Sequence, residues 1–274
     1  MALASIRPPA VAGQFYPGDE RVLRTQLAEM LSTAVALEAA PMPKAIIVPH
    51  AGYMYSGPIA ASAYALLAPL RQTIRRVVML GPTHRVAIRG IALPAAQAFA
   101  TPLGEVAVSR ADWMALQARD DVVVDDRPHA LEHCLEVQLP FLQVILERFE
   151  IVPLLVGDAP AEDVAAVIEQ LWGGPETLIL ISSDLSHYLS YREAQWSDRA
   201  AVAQVLDLQA GLDHEQACGA TPINGLLIAA RKHHLHAHLL DLRNSGDTAG
   251  DRAQVVGYTS IAFCEAETPS HARH

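Results

Sequence analysis

Short apolar runs punctuate this chain at intervals that suit strands alternating with helices. Four of them are Ala45–Val48, Val77–Leu80, Ile151–Val156 and Leu178–Ile181. They lack the polar alternate positions of a strand with one face in water, so they read as buried strands. Helical spacing fills the intervals. The stretch Arg21–Leu37 has apolar residues at Leu23, Leu27, Met30, Leu31 and Val35, and Ala39–Pro43 ends it with two prolines. Further helical patterns are Ile59–Leu70, Ala130–Glu150 with a break at Pro140, and Ala161–Trp172. His238–Phe263 reads as two more strands joined by the loop Asn244–Asp251. Strands apolar on both faces, alternating with helices, predict an α/β fold: one three-layer α/β/α domain with a mostly parallel or mixed central sheet. No repeat and no linker-like composition divides the chain. One domain is therefore expected over residues 1–274, with its core at about 8–265 and a short C-terminal tail.

Composition narrows the partners. Half of the residues are apolar (51%), enough for a sizeable core. The formal net charge of −10, from 30 acidic and 20 basic side chains, disfavours nucleic acid and anionic membranes. No apolar run approaches the length of a membrane span. The N-terminal residues lack the basic and apolar regions of a signal peptide. The cysteines, Cys134, Cys218 and Cys264, are few, odd in number and widely spaced. A reducing, cytoplasmic compartment is expected on those grounds.

Three histidines occupy one kind of position. His50 ends the first strand in Val48-Pro49-His50-Ala51-Gly52. His84 follows the second in Gly81-Pro82-Thr83-His84, and His187 follows the fourth in Ser182-Ser183-Asp184-Leu185-Ser186-His187. Ligands of α/β sheets bind beyond the carboxyl ends of the strands, and neutral imidazole is a common metal ligand. The pattern leaves two readings: a metal gripped by converging imidazoles, or three loop histidines each satisfied by a local hydrogen bond. Asp184 could orient one of those imidazoles or cap a turn.

Six segments, Ala12-Gly13-Gln14-Phe15-Tyr16-Pro17, Pro49–Gly57, Gly81–His84, Glu132-His133-Cys134-Leu135-Glu136-Val137-Gln138-Leu139-Pro140, Ser182–His187 and Cys218–Ile223, run in order through nearly the whole chain. In them the chain resembles the Memo-like family, protein B of the AmmeMemoRadiSam gene trio. That family is similar in fold to class III extradiol dioxygenases, the non-haem iron enzymes that open catechol rings. The resemblance implies one metal ion on His50, His84 and Cys218, with iron(II) or copper ahead of zinc. It implies His187 as acid/base; His133, either a pocket-lining group or a helix-surface histidine, and Asp184 are further catalytic candidates from their positions in the chain. A small molecule or peptide would occupy the pocket, and the radical-SAM and AMMECR proteins of the trio are candidate partners.

One feature departs from the dioxygenases, which hold iron with two histidines and a carboxylate. A thiolate in the third place is softer and itself oxidisable, so weak catechol ring opening is expected. Cys218 precedes the helix-like run Pro222–Lys232, where a helix N-terminus would favour its thiolate. Three functions follow: metal-dependent redox chemistry, a binding module with a vestigial site, or a metal-dependent hydrolase. His129-Ala130-Leu131-Glu132-His133 fits the inverted zinc-peptidase pattern H-x-x-E-H. Pro128 directly before it starts a helix there rather than continuing one, so Glu132 and His133 are expected on a helix without a zinc site shared with His129. His233, His234, His236 and His238 read as an exposed polar helix end. The Gly246–Asp251 stretch reads as a loop near the pocket mouth.

Overall fold

The computed structural model describes residues 5–34 and 42–265. In chain order its strands are β1 (Ile6–Arg7), β2 (Pro43–Val48), β3 (Arg76–Pro82), β4 (Ile91–Leu93), β5 (Ala98–Thr101), β6 (Gly104–Ala107), β7 (Val122–Val124), β8 (Glu150–Val156), β9 (Thr177–Ser182), β10 (His187–Leu189), β11 (Leu235–Asn244) and β12 (Val255–Glu265). The helices are α1 (Glu20–Ser32), α2 (Tyr53–Ala65), α3 (Arg110–Leu116), α4 (Asp126–Ala130), α5 (Leu139–Ile145), α6 (Ala161–Gln170), α7 (Tyr191–Leu206) and α8 (Ala220–Lys232).

The four apolar runs form the centre of a nine-stranded mixed sheet. Strands β2, β9, β3 and β8 lie side by side and parallel. β12 pairs antiparallel with β2, β11 and β10, and β4 closes on β8 antiparallel. Alternate residues feed two cores. Ile46, Val48, Val77, Met79, Leu178 and Leu180 join the cluster containing Leu23, Leu27, Tyr64 and Phe141 of α1, α2 and α5. Ala45, Ile47, Val78, Leu80, Ile179 and Ile181 join the other, with Val164 and Ile168 of α6 and Leu226 and Leu227 of α8. A strand that feeds a core on each face must be apolar throughout, which is why these runs lack alternation. Each fully buried Val, Leu or Ile contributes about 1.5–3 kcal/mol. A separate three-stranded sheet, β1-β5-β6, carries the buried Arg7.

The element boundaries differ from expectation in places that matter. Asp19 caps α1 by accepting from the Val22 N–H, and the helix ends at Ser32. Val35 and Leu37 lie outside the described residues. α2 begins at Tyr53, ahead of the expected Ile59, and holds Pro58 inside it. The single helical pattern over Ala130–Glu150 is instead α4, a loop, a 3-10 turn at Glu136–Gln138 and α5. Pro140 does not break a helix; it sits in the first turn of α5, where a missing N–H costs nothing. Glu132 and His133 lie in the loop, not on a helix. The Glu132 carboxylate accepts the backbone N–H groups of His133 and Cys134, so a side chain satisfies donors that would otherwise continue the helix. No helix among the described residues is long and apolar enough to cross a membrane.

Candidate metal centre

Parallel strands in register deliver their C-terminal loops to one rim. Val48 of β2 pairs with Ser182 of β9, and Leu80 of β3 pairs with Ile181. β9 lies between β2 and β3, so His50 and His84, just past their own strands, flank its end. Their ring centroids are 5.1 Å apart. His133 arrives from the loop after α4, its ring 5.4 Å from His50 and 4.9 Å from His84. One ligand nitrogen from each of these three lies within 4.8 Å of the other two. His50 is buried, His133 half-buried and His84 exposed.

Hydrogen-bond partners assign the imidazole tautomers. Gln138 is oriented first: its Oε1 accepts the Tyr64 hydroxyl at 2.7 Å, and its Nε2 donates to the Pro49 carbonyl at 3.0 Å and to Ser182 Oγ at 2.9 Å. Ser182 spends its one hydroxyl proton on the Cys134 carbonyl, at 2.7 Å. Its remaining oxygen lone pair can only accept, so His50 Nδ1, at 2.9 Å, is the protonated nitrogen. His50 Nε2 is left unprotonated, an acceptor that the Cys218 thiol approaches at 3.3 Å. His84 Nδ1 donates to Glu132 Oε1 at 2.9 Å, and the His84 backbone N–H donates to Glu132 Oε2 at 2.7 Å. His84 Nε2 is likewise left as a ligand atom. A carboxylate or hydroxyl behind an imidazole is how metal sites fix orientation and basicity.

Electrostatics favours neutral imidazole at the deep end. Burial, then the neighbouring His84 and His133, hold His50 well below the usual histidine range. Burial alone would push Glu132 up, but the close approach of His133 and the hydrogen bonds from His84 outweigh it and keep the carboxyl well below the usual range. His133 Nδ1 lies 3.1 Å from Glu132 Oε1 but off the line of a hydrogen bond, which leaves that buried nitrogen without a partner.

Cys218 Sγ sits 3.3 Å from His50 Nε2 and accepts the Asp184 backbone N–H at 3.3 Å. It precedes Gly219, the N-cap of α8. The expected preference for thiolate is reversed. Burial, then the Asp184 charge, push the thiol up to about 12, which outweighs the helix terminus. Such a sulfur ionises when a bound cation compensates it. The imidazoles of His50, His84 and His133 form a donor set that fits a metal ion, and the Cys218 thiol, 3.3 Å from His50 Nε2, stands beside it. Among the described residues, two groups of donors lie close enough to share an ion: His50, His84 and His133, and His84, Glu132 and Cys134; Cys218 is in neither.

The remaining candidates fall into place around this centre. Asp184 is buried and accepts the His50 backbone N–H at 2.7 Å, so it fixes the His50 loop rather than an imidazole. His187 lines a cleft of about 560 Å³ together with His84 and Cys218. Its placement depends on a bulge. His187 pairs with Val256 and Leu189 with Val255, leaving Tyr188 extra, at φ +59°. His129 stands apart: its Nε2 bonds the Ala92 carbonyl at 3.1 Å, and it belongs to neither group of candidate ligands. His233 is not simply exposed. It stacks on Trp172 at 3.7 Å and bonds Glu169 at 2.9 Å. The Gly246–Asp251 loop is held by Tyr191 and Asp247 on the α7 side and does not line the cleft. Sequence reasoning missed Ser182 and Gln138 as supports of His50. A lone polar Gln138 between Val137 and Leu139 is the signal that could have found one of them.

Fold and rim together define a class: an α/β protein with a histidine-rich, metal-competent pocket beyond the carboxyl ends of its parallel strands. The family model for Memo-like protein matches residues 7–262. A MEMO1 family protein of Sulfolobus acidocaldarius is 35% identical over 284 residues, covering 94% of this chain and 99% of the relative. MEMO1 family proteins of Sulfurisphaera tokodaii and Aquifex aeolicus are 33% and 34% identical, each covering 94% of this chain and 99% of the relative. The chain belongs to the Memo-like family.

Proposed function

We propose that this protein holds one redox-active metal ion, iron or copper, on His50, His84 and Cys218, and performs metal-dependent redox chemistry on a small substrate in the adjoining cleft. The observation that carries the reading is the pair of imidazoles with unprotonated Nε2 atoms, one of them 3.3 Å from the Cys218 sulfur. When bound, the ion supplies electron transfer and Lewis acidity. The chain supplies the rest. Glu132 and Ser182 hold the two imidazoles in their ligating tautomers. Asp184 holds the His50 loop. His187, at the cleft wall, gives or takes a proton at the substrate. A thiolate ligand is oxidisable near oxygen, so sustained catechol ring opening is not expected.

A second ligand set has its own support: His133 lies within reach of His50 and His84. Metal analysis of protein purified without affinity nickel separates the two. Stoichiometric iron or copper in wild type, lost in Cys218→Ser and retained in His133→Ala, supports the proposal. Retention in Cys218→Ser with loss in His133→Ala gives the site to three histidines. Failure of wild type to retain any metal overturns both.

A further inference from the structure

Unlike His50 and His84, whose rings are bonded to Ser182 and Glu132, His187 is placed through its backbone, which pairs with Val256 of β12. The segment just before it is held firmly by the same strand. The Leu185 N–H donates to the Gly257 carbonyl at 2.8 Å, and the Gly257 N–H donates to the Ser186 carbonyl at 2.9 Å. The Ser186 N–H takes another partner: Oδ1 of Asp198, on α7, at 3.1 Å. Ser186 is thus gripped by β12 at its carbonyl and by α7 at its N–H, one residue before the histidine that lines the cleft.

Asp198 stands where the helix pattern calls for an apolar residue. The other buried positions of α7 are Ala194, Ala201, Val202 and Val205, a stripe at helical spacing that includes residue 198. Placing a carboxyl there carries a cost. Burial pushes it up to about 6, and the hydrogen bonds to Ser186 oppose that rise. The fit is close: a Cβ at Gly257 would lie 2.1 Å from Asp198 Oδ2 and 2.6 Å from Oδ1, so position 257 admits the carboxyl only as glycine. Ser186 Oγ is buried beside the same carboxyl, off the line of a hydrogen bond, and has no partner. A break in an apolar stripe, matched by a glycine across the contact, marks a requirement other than packing.

From this contact we infer that Asp198 is a positioning residue: by locking Ser186 between α7 and β12, it fixes His187 in the cleft that His84 and Cys218 also line. The inference rests on the reading of His187 as the residue that moves a proton at the substrate, and it names what holds that residue in place. Proton transfer depends on where the ring stands. Without the Asp198 carboxyl the chain still carries His187, but the segment before it loses its fastening to α7.

The test reads the histidine rings directly. Side-chain NMR spectra are recorded on full-length protein, with and without added zinc as a diamagnetic ion, and the signal lost in His187→Gln assigns that ring. A single sharp His187 signal is expected in wild type and in Asp198→Asn, which keeps an acceptor for the Ser186 N–H. In Asp198→Ala and Gly257→Ala the signal should broaden or split, while those of His50 and His129 stay in place. In parallel, 4-nitrocatechol, a metal-chelating probe, is titrated calorimetrically into the metal-loaded protein. Its affinity should fall roughly tenfold in Asp198→Ala, about the worth of one hydrogen bond, and recover in Asp198→Asn. Metal content should not change. An unaltered His187 signal in Asp198→Ala overturns the inference. So does damage in Asp198→Asn equal to that in Asp198→Ala, or a change that spreads to every histidine, which would make Asp198 part of the scaffold at large. If Asp198→Ala does not fold, Gly257→Ala reads the same contact from β12, and failure of both to fold also gives the contact to the scaffold. The expected His187 response in protein that takes up no metal overturns the metal reading and leaves this inference standing. Normal metal uptake with an unaffected His187 does the reverse.

Discussion

Glu132 and Glu136 are neighbours in one motif, Glu132-His133-Cys134-Leu135-Glu136, and both are buried, yet they hold different things. Glu132 faces the rim. It accepts from the ring and backbone of His84 and from the backbone of His133 and Cys134. Glu136 faces away from it. It pairs with Arg7 and accepts the Ala10 and Val11 N–H groups at 2.7 and 3.0 Å and the Tyr16 hydroxyl at 2.6 Å. Arg7 in turn donates to the His129 and Glu132 carbonyls. One carboxylate thus organises ligands, while the other fastens the N-terminal segment to the loop that bears them. The burial that makes a carboxylate useful at a site is the same burial that makes it indispensable in a scaffold. The difference lies only in what the oxygens meet.

That division can be broken at the scaffold side with the largest effect. Glu136→Ala leaves the Arg7 guanidinium buried without its partner, and strips acceptors from two backbone N–H groups and a hydroxyl. Removing one member of a buried pair costs about 3–5 kcal/mol. Urea unfolding should show a loss of that size, with metal content per folded molecule unchanged. Loss of metal without loss of stability would mean that Glu136 serves the centre after all.

His129 belongs to the same scaffold half and gives the next effect, through pH. Burial lowers its pKa from 6.5 to about 4, so the folded state holds it neutral where the unfolded chain would protonate it. The sign follows: nothing is lost above pH 6.5, and stability falls as pH drops from 6.5 toward about 4. The full depression corresponds to about 3 kcal/mol. His50 is shifted in the same direction. His129→Gln, which can keep the bond to the Ala92 carbonyl, should flatten that decline by up to about 3 kcal/mol in unfolding measured across that range. A variant that tracks wild type throughout would show that His129 titrates alike in the folded and unfolded chain.

On the site side, Glu132→Gln keeps an acceptor for the His84 ring but loses the charge behind it. Such outer partners of ligating histidines are worth roughly 10–100-fold in metal affinity. Competition with a chelator should show that loss while thermal stability falls far less than in Glu136→Ala. Equal damage to both would erase the distinction between the two carboxylates.

The sequence made one side of this comparison more legible than the other. Strands β2, β3, β8 and β9 were readable because both their faces are buried, and the strand-end positions of His50 and His84 followed from that. The loop after α4 was not. Helical spacing continues through Ala130, but Glu132 competes for the backbone donors ahead, and periodicity carries no information about such competition. Cys218 could be reached only through family resemblance. Its ionisation was expected in the wrong direction, because burial and the charge of Asp184, 34 positions away in the chain, are set by the tertiary fold. Ser182 looked like the end of a strand, and only its three partners reveal that it sets the His50 tautomer.

The smallest expected effect concerns strain. Tyr188 holds φ +59°, in the left-handed region that costs a side-chain-bearing residue roughly 1–2 kcal/mol. Its ring is largely exposed, 69% accessible, so packing offsets little of that cost. The bulge it creates sets both His187 and Leu189 against the cleft, and strain of this kind persists where a site requires the conformation. Tyr188→Gly removes the steric conflict but raises the entropy of the unfolded chain by about 0.5–1 kcal/mol. The balance is a gain of about 0.5–1 kcal/mol in urea unfolding. Because the metal ligands lie on other loops, metal content should not change, whereas probe binding in the cleft should weaken as His187 loses its fixed seat. A stability loss would show instead that the Tyr188 ring, 5.8 Å from His187, contributes more by contact than its backbone costs. In that case the bulge would belong with Glu136 as a fastening of the scaffold, and the strain would have no bearing on the site.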